Sequence, residues 1–130
     1  MIRVNVKKQA RYPVNSKKLK NSLRNFFQSQ GIVSEAEVSV AIVGKPKMLE
    51  YQKTYLQEKG DKPHNVLSFT PDETRGKFVY PPDGLIHLGE IVICYPKLLE
   101  EAKEEGVLID EKAAELALHA AAHLMGIHHT

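Results

Sequence analysis

The sequence predicts an α+β fold: a small mixed β-sheet of about four strands covered by about four or five helices. Three observations lead there. The first residues alternate apolar and polar side chains with the period of a half-buried strand, and a stretch just after them carries apolar residues at helical spacing. Late in the chain two short β-prone runs lie close enough to pair locally, and strands and helices do not follow a strict βαβ rhythm.

Taken in order, IRVNVK (2–7) puts Ile2, Val4 and Val6 on one side and Arg3, Asn5 and Lys7 on the other, a half-buried strand. After Pro13, either Asn15 or Ser16 caps a helix whose apolar stripe is Leu19, Leu23, Phe26 and Phe27, stopped by Gly31. Val38, Val40 and Ile42 alternate in a second strand closed by Gly44. Pro46 suits the first turn of a helix over 47–57, with Leu49, Tyr55 and Leu56 as core contacts. KGDKP is turn chemistry, NVLSF (65–69) is a strand candidate, and TPDETRGKFVYPPDG reads as a loop or an extended hairpin. LIHLGEIVICY (85–95) is a strong strand signal with Val92, Ile93 and Cys94 buried. Pro96 then opens a helix to about Glu105, ended by Gly106, and Asp110 N-caps the last helix, DEKAAELALHAAAHLMG.

At 130 residues the chain has the length of one domain, and residues 1–130 are read as a single unit. Apolar content of 42% with 26% charged residues excludes a disordered composition. No apolar run approaches the roughly 18 residues that cross a bilayer, and the N-terminus lacks the apolar core of a secretory signal. Cys94, the one cysteine, cannot form an internal disulfide, so a cytoplasmic protein without membrane contact is expected. The net charge of +2 conceals a division. Residues 1–34 hold eight basic residues and no acid, a charge of +8, and the ten basic and sixteen acidic residues that remain make the rest −6. Such asymmetry fits either polyanion binding or a solvated basic helix face.

Four of the six histidines fall in the last twelve residues. His119 and His123 are four apart on the final helix, so their imidazoles share one face a turn apart, the spacing with which two nitrogens bind one zinc ion at about 2.0–2.1 Å. Gly126 lets the chain turn back and bring a third histidine, completing His-x3-His-x2-Gly-x2-His through His129, with His128 as the competing candidate. Three imidazoles leave a fourth tetrahedral position for water, the layout of a catalytic site, and this places the metal on the C-terminal helix and the turn after it. Three imidazoles also suit nickel and copper. Ala120 stands where the metalloprotease motif His-Glu-x-x-His has its glutamate base, which argues against peptidase chemistry by that route.

Together with DKPHNVLSF (61–69) and LGEIVIC (88–94), the terminal block HAAAHLMGIHH (119–129) resembles the YbeY family of bacterial rRNA maturation factors and endoribonucleases. The terminal block resembles the family's His-x3-His-x5-His zinc signature. The resemblance covers nearly the whole chain. It implies a small α+β fold with zinc at the base of a cleft, held by His119, His123 and His129, and action on RNA in small-subunit rRNA 3′ end processing and in ribosome quality control. The implied partners are rRNA and the ribosome or ribosome-associated proteins, with the chain itself a monomer. Ser68, Phe69, Gly89 and Glu90 match positions that shape the family's cleft, and Lys59, Lys62 and Ser68 are the substrate-binding candidates.

The chain also departs from the pattern. Glu58 occupies the place of a family arginine associated with phosphate binding, and His64 that of a threonine. His128 replaces an aspartate, and the chain ends at Thr130, where relatives continue. The leading expectation is a zinc-dependent endoribonuclease; the alternatives are a non-catalytic RNA-binding assembly factor with a structural zinc, and a metal hydrolase of a small substrate.

Overall fold

A computed structural model describes residues 1–74 and 84–127; residues 75–83 of the expected loop, together with His128, His129 and Thr130, lie outside the described residues. The elements run β1 (Ile2–Lys7), α1 (Ser16–Ser29), β2 (Ala36–Val43), α2 (Lys45–Leu56), β3 (Val66–Phe69), β4 (Ile86–Cys94), α3 (Tyr95–Glu105) and α4 (Ile109–Leu124). The four strands form one mixed sheet in the order β1-β2-β4-β3. β1, β2 and β4 are parallel, and β3 joins β4 antiparallel at the edge, the local pairing that the adjacent late runs predicted.

The alternation in each strand assigns its two faces. Val4, Val38, Val40, Ile91 and Ile93 pack with Leu19, Leu23 and Phe27 of α1 and Ala113, Ala117 and Ala121 of α4 in the larger core. The opposite parity, Phe69, Val92 and Cys94, packs on Met48 of α2 in a smaller cluster, with Tyr51 and Tyr55 against it. Alanines on α4 keep that helix close to the sheet, with Ala117 and Ala121 fully buried.

Two expectations need correction. Asp110 does not cap α4: the helix starts one residue earlier, at Ile109, with Leu108 in the cap position and no side-chain cap bond. The Asp110 carboxylate instead accepts the backbone N–H of Asn15 at 2.8 Å, and it sits in the first turn, where a negative charge complements the helix dipole. Asn15 is the residue that caps, its side chain accepting Lys18 N–H at 3.1 Å. The second correction concerns α2, which begins at Lys45 and buries Met48 and Gln52, whereas Leu56 is 38% exposed. A polar residue occupies that core position because both ends of its amide are bonded. Gln52 Nε2 donates to the Lys62 carbonyl at 3.1 Å, and Oε1 accepts from His64 N–H at 2.9 Å. Gln52 thereby fixes the loop that leads into β3.

A buried cation holds the other approach to the site. Lys112 Nζ donates to Glu105 at 2.7 Å and to Glu115, and lies 3.7 Å from Glu101, which also accepts from Asn65 Nδ2 at 3.2 Å. The hydrogen bonds that it donates to Glu105 and Glu115 hold its pKa above the ordinary lysine range. One lysine therefore ties the end of α3, the start of α4 and the residue before β3.

Candidate active site

β4 carries the feature that brings β3 and α4 together. Its pairing with β2 shifts by one residue between Glu37 and Val38, so Glu37 faces His87 while Val38 faces Gly89. Gly89 has a φ of +136°, and a Cβ there would lie 2.3 Å from the Phe69 carbonyl oxygen and 2.8 Å from Cδ2 of Leu124. β3 and the end of α4 thus close over a position where no side chain fits.

Between them runs a cleft of about 410 Å³ walled by Val66–Phe69 of β3, His119, Ala120 and His123 of α4, and Leu56, Glu73 and Ile127. His119 and His123 stand one turn apart on the exposed side of α4, as their spacing predicted, and both line this cleft. Ser68 projects toward α4, the parity opposite to Phe69, and its Oγ lies 2.5 Å from Nδ1 of His123. A ring nitrogen engaged in that way fixes the imidazole's orientation and makes Nε2 the atom through which His123 would ligate. Removing the hydroxyl in Ser68→Ala is expected to weaken zinc binding about 10–100-fold, the usual cost of losing an outer partner of a ligating histidine. Competition with a fluorescent zinc chelator measures it, and affinity unchanged within error would rule the contact out as an orienting one.

α4 ends in a turn that returns the chain toward the cleft. Ile127 N–H donates to the Ala122 carbonyl at 2.9 Å and Gly126 N–H to that of His123 at 3.0 Å, the paired bonds of a Schellman motif, with Gly126 at φ +75°. Ile127 then lines the cleft, and His128 and His129 are the next two residues, outside the described part. Among the described residues no three His, Cys, Asp or Glu side chains form a group that could hold a metal ion. The two histidines of α4 suit zinc in donor type and spacing. Cys94 lies with Met48 and Phe69 on the other side of the sheet, where burial pushes its thiol pKa up.

Other candidates sit elsewhere. Lys59 lines a separate hollow with Pro46, Leu49 and Lys53, and Lys62 is exposed on the loop that Gln52 clamps. Glu90 pairs across from Phe69 and so faces the α2 side. The two departures at Glu58 and His64 contact each other: His64 Nε2 is 3.0 and 3.1 Å from the Glu58 carboxylate oxygens. A carboxylate in the arginine's place has acquired a partner that can be cationic, and neither residue lines the histidine cleft.

Among the described residues lining the cleft there is no lysine or arginine. The basic segment lies outside the cleft, with Arg3 and Lys7 on β1, the edge strand opposite β3, and Lys17, Lys18, Lys20 and Arg24 on α1, which packs beside α4. Two of its charges are engaged locally, Arg24 on the Ile2 carbonyl and Lys8 on that of Tyr12, both at 3.0 Å, whereas Lys17 and Lys18 are exposed. Sequence reasoning passed over Glu73, although Thr-x-x-Glu at 70–73 is a capping-box signature that could have found it.

Comparison with known proteins agrees with this geometry. A family profile described as Endoribonuclease YbeY matches residues 3–130. A protein named Endoribonuclease YbeY from Moorella thermoacetica is 35% identical over 93% of this chain and 80% of its own length. One of the same name from Dehalococcoides mccartyi strain BAV1 is 30% identical over 98% of this chain and 83% of its own. The fold is similar to a Thermotoga maritima protein whose structure was solved in solution, with a TM-score of 0.56 and 22% identity over the whole of this chain and 75% of that one.

Proposed function

Since this chain belongs to the Endoribonuclease YbeY family, we propose that it hydrolyses phosphodiester bonds of RNA in rRNA maturation, particularly at the small-subunit 3′ end, and in ribosome quality control. In this reading it is a cytoplasmic monomer that meets rRNA on the ribosome or beside ribosome-associated proteins. Within the described residues, no helix is long and apolar enough to cross a membrane.

The observation that carries the reading is the pair His119 and His123 in a cleft edged by β3, with Ser68 on the second imidazole. These two histidines, with His129 or His128, would hold one zinc ion. Zinc bound there would supply a Lewis acid for a phosphoryl oxygen and water acidified toward neutrality. The chain's own residues do the rest. Ser68 holds the His123 ring, and the Schellman turn at Gly126 brings the chain, as far as Ile127, back to the wall of the cleft. Exposed Lys17 and Lys18, at the start of α1 and outside the cleft, suit a phosphate backbone that extends beyond the scissile bond.

The test is cleavage of an rRNA precursor by chelator-stripped protein, with and without added zinc. Cleavage restored by zinc is expected. Equal cleavage in both samples would remove the metal's role, and RNA binding without cleavage in either would favour an assembly factor with a structural zinc.

A further inference from the structure

The cleft holds one carboxylate that the zinc reading does not use. Glu73 lines it beside His119, His123 and Ser68. The side chain is held from behind: Oε1 accepts Thr70 N–H at 2.9 Å, while Glu73 N–H donates to Thr70 Oγ1 at 3.3 Å, the reciprocal bonds of a capping box just after β3. Thr74 closes the same turn, fully buried and donating from Oγ1 to the Pro71 carbonyl at 2.8 Å. One oxygen is therefore fixed and the other, Oε2, has no hydrogen-bond partner among the described residues. Glu73 and the two histidines do not form a three-membered group that could hold a metal ion among the described residues. A carboxylate in the cleft, locked in orientation and not grouped with the histidines as a third ligand, has the placement of a proton acceptor.

We propose that Glu73 is the general base of the hydrolysis, an inference that rests on the ribonuclease reading above. Water's oxygen bonds to phosphorus as one of its protons passes to Oε2 of Glu73. The bond from phosphorus to the leaving ribose oxygen breaks, and that oxygen takes a proton from solvent in the open cleft. Glu73 then returns its proton to water.

Glu73→Gln isolates the charge, because glutamine serves equally well at this capping-box position and keeps an acceptor for Thr70 N–H. With zinc-loaded protein, single-turnover cleavage of the RNA precursor by Glu73→Gln is expected to fall about 10²–10⁴-fold. Its RNA affinity, zinc content and melting temperature should match the wild type, and Glu73→Asp should recover part of the rate. Cleavage by Glu73→Gln within about threefold of the wild type would overturn the assignment, as would loss of its zinc, which would make Glu73 a ligand. A wild-type protein that leaves RNA intact would instead overturn the ribonuclease reading, and the base with it.

Discussion

His123→Ala is expected to abolish zinc-dependent cleavage of RNA while leaving the metal-free protein folded. Because His123 is exposed on α4, its truncation removes little packing, and the lost bond to Ser68 should cost no more than about 1.5 kcal/mol. Its loss as a ligand of the proposed zinc ion is another matter. Transition-state charge stabilisation by a metal is worth several kcal/mol, so cleavage should fall by at least about 10³-fold. Thermal unfolding separates the two effects. Wild-type protein with zinc at 100 times its dissociation constant should gain about 2.7 kcal/mol, and His123→Ala should gain almost none. His119→Ala should behave alike. The same assay on His128→Ala and His129→Ala assigns the third ligand, since only the true one abolishes the zinc-dependent shift. A His123→Ala protein that still gains stability from zinc and still cleaves would remove α4 from the active site.

Much of this site could be read before any geometry was known, for reasons specific to the residues. The i, i+4 histidines lie on a helix whose alanines leave little doubt of its period, so their common face followed from helical spacing alone. The alternation of β1 and β2 likewise assigned core faces correctly, because each has one face on the larger core, and the expected burial of Val92, Ile93 and Cys94 holds because β4 is covered on both faces. The failures were of a different kind. Gln52, Asp110 and Glu73 all have roles set by hydrogen bonds to backbone groups elsewhere, at Lys62 and His64, at Asn15, and at Thr70. A reading that ranks positions by apolarity puts Leu56 in the core and Gln52 on the surface. It cannot see that a bonded amide buries at little cost while a leucine at the end of a helix stays wet. The charge asymmetry was legible as a number but not as a place. Only the structure shows that four of the eight basic residues in 1–34 lie on α1 and that none of the eight lines the cleft.

Gly89→Ala should be the most damaging single methyl addition in the region of the cleft. The new Cβ would meet the Phe69 carbonyl oxygen at 2.3 Å, against a backbone atom that can move only if β3 moves, and Leu124 at 2.8 Å. A non-glycine side chain at φ +136° is strained even without those neighbours. Strain and overpacking are each worth about 1–3 kcal/mol, so a loss of about 2–6 kcal/mol and a fall in melting temperature of roughly 10 °C or more are expected. The two clashes make separable predictions. Leu124→Ala placed on top of Gly89→Ala relieves only the contact with a flexible side chain, so it should recover little stability. If it recovered most of the loss, the close approach of β3 to Gly89 would not be what constrains this position. The displacement should also reach the chemistry. Phe69 follows Ser68 directly, so pushing the Phe69 carbonyl off β4 shifts the hydroxyl from Nδ1 of His123. Zinc affinity of the folded Gly89→Ala protein should therefore fall about as far as in Ser68→Ala, 10–100-fold. Full zinc affinity in a destabilised Gly89→Ala would mean that β3 yields at Phe69 without carrying Ser68 with it.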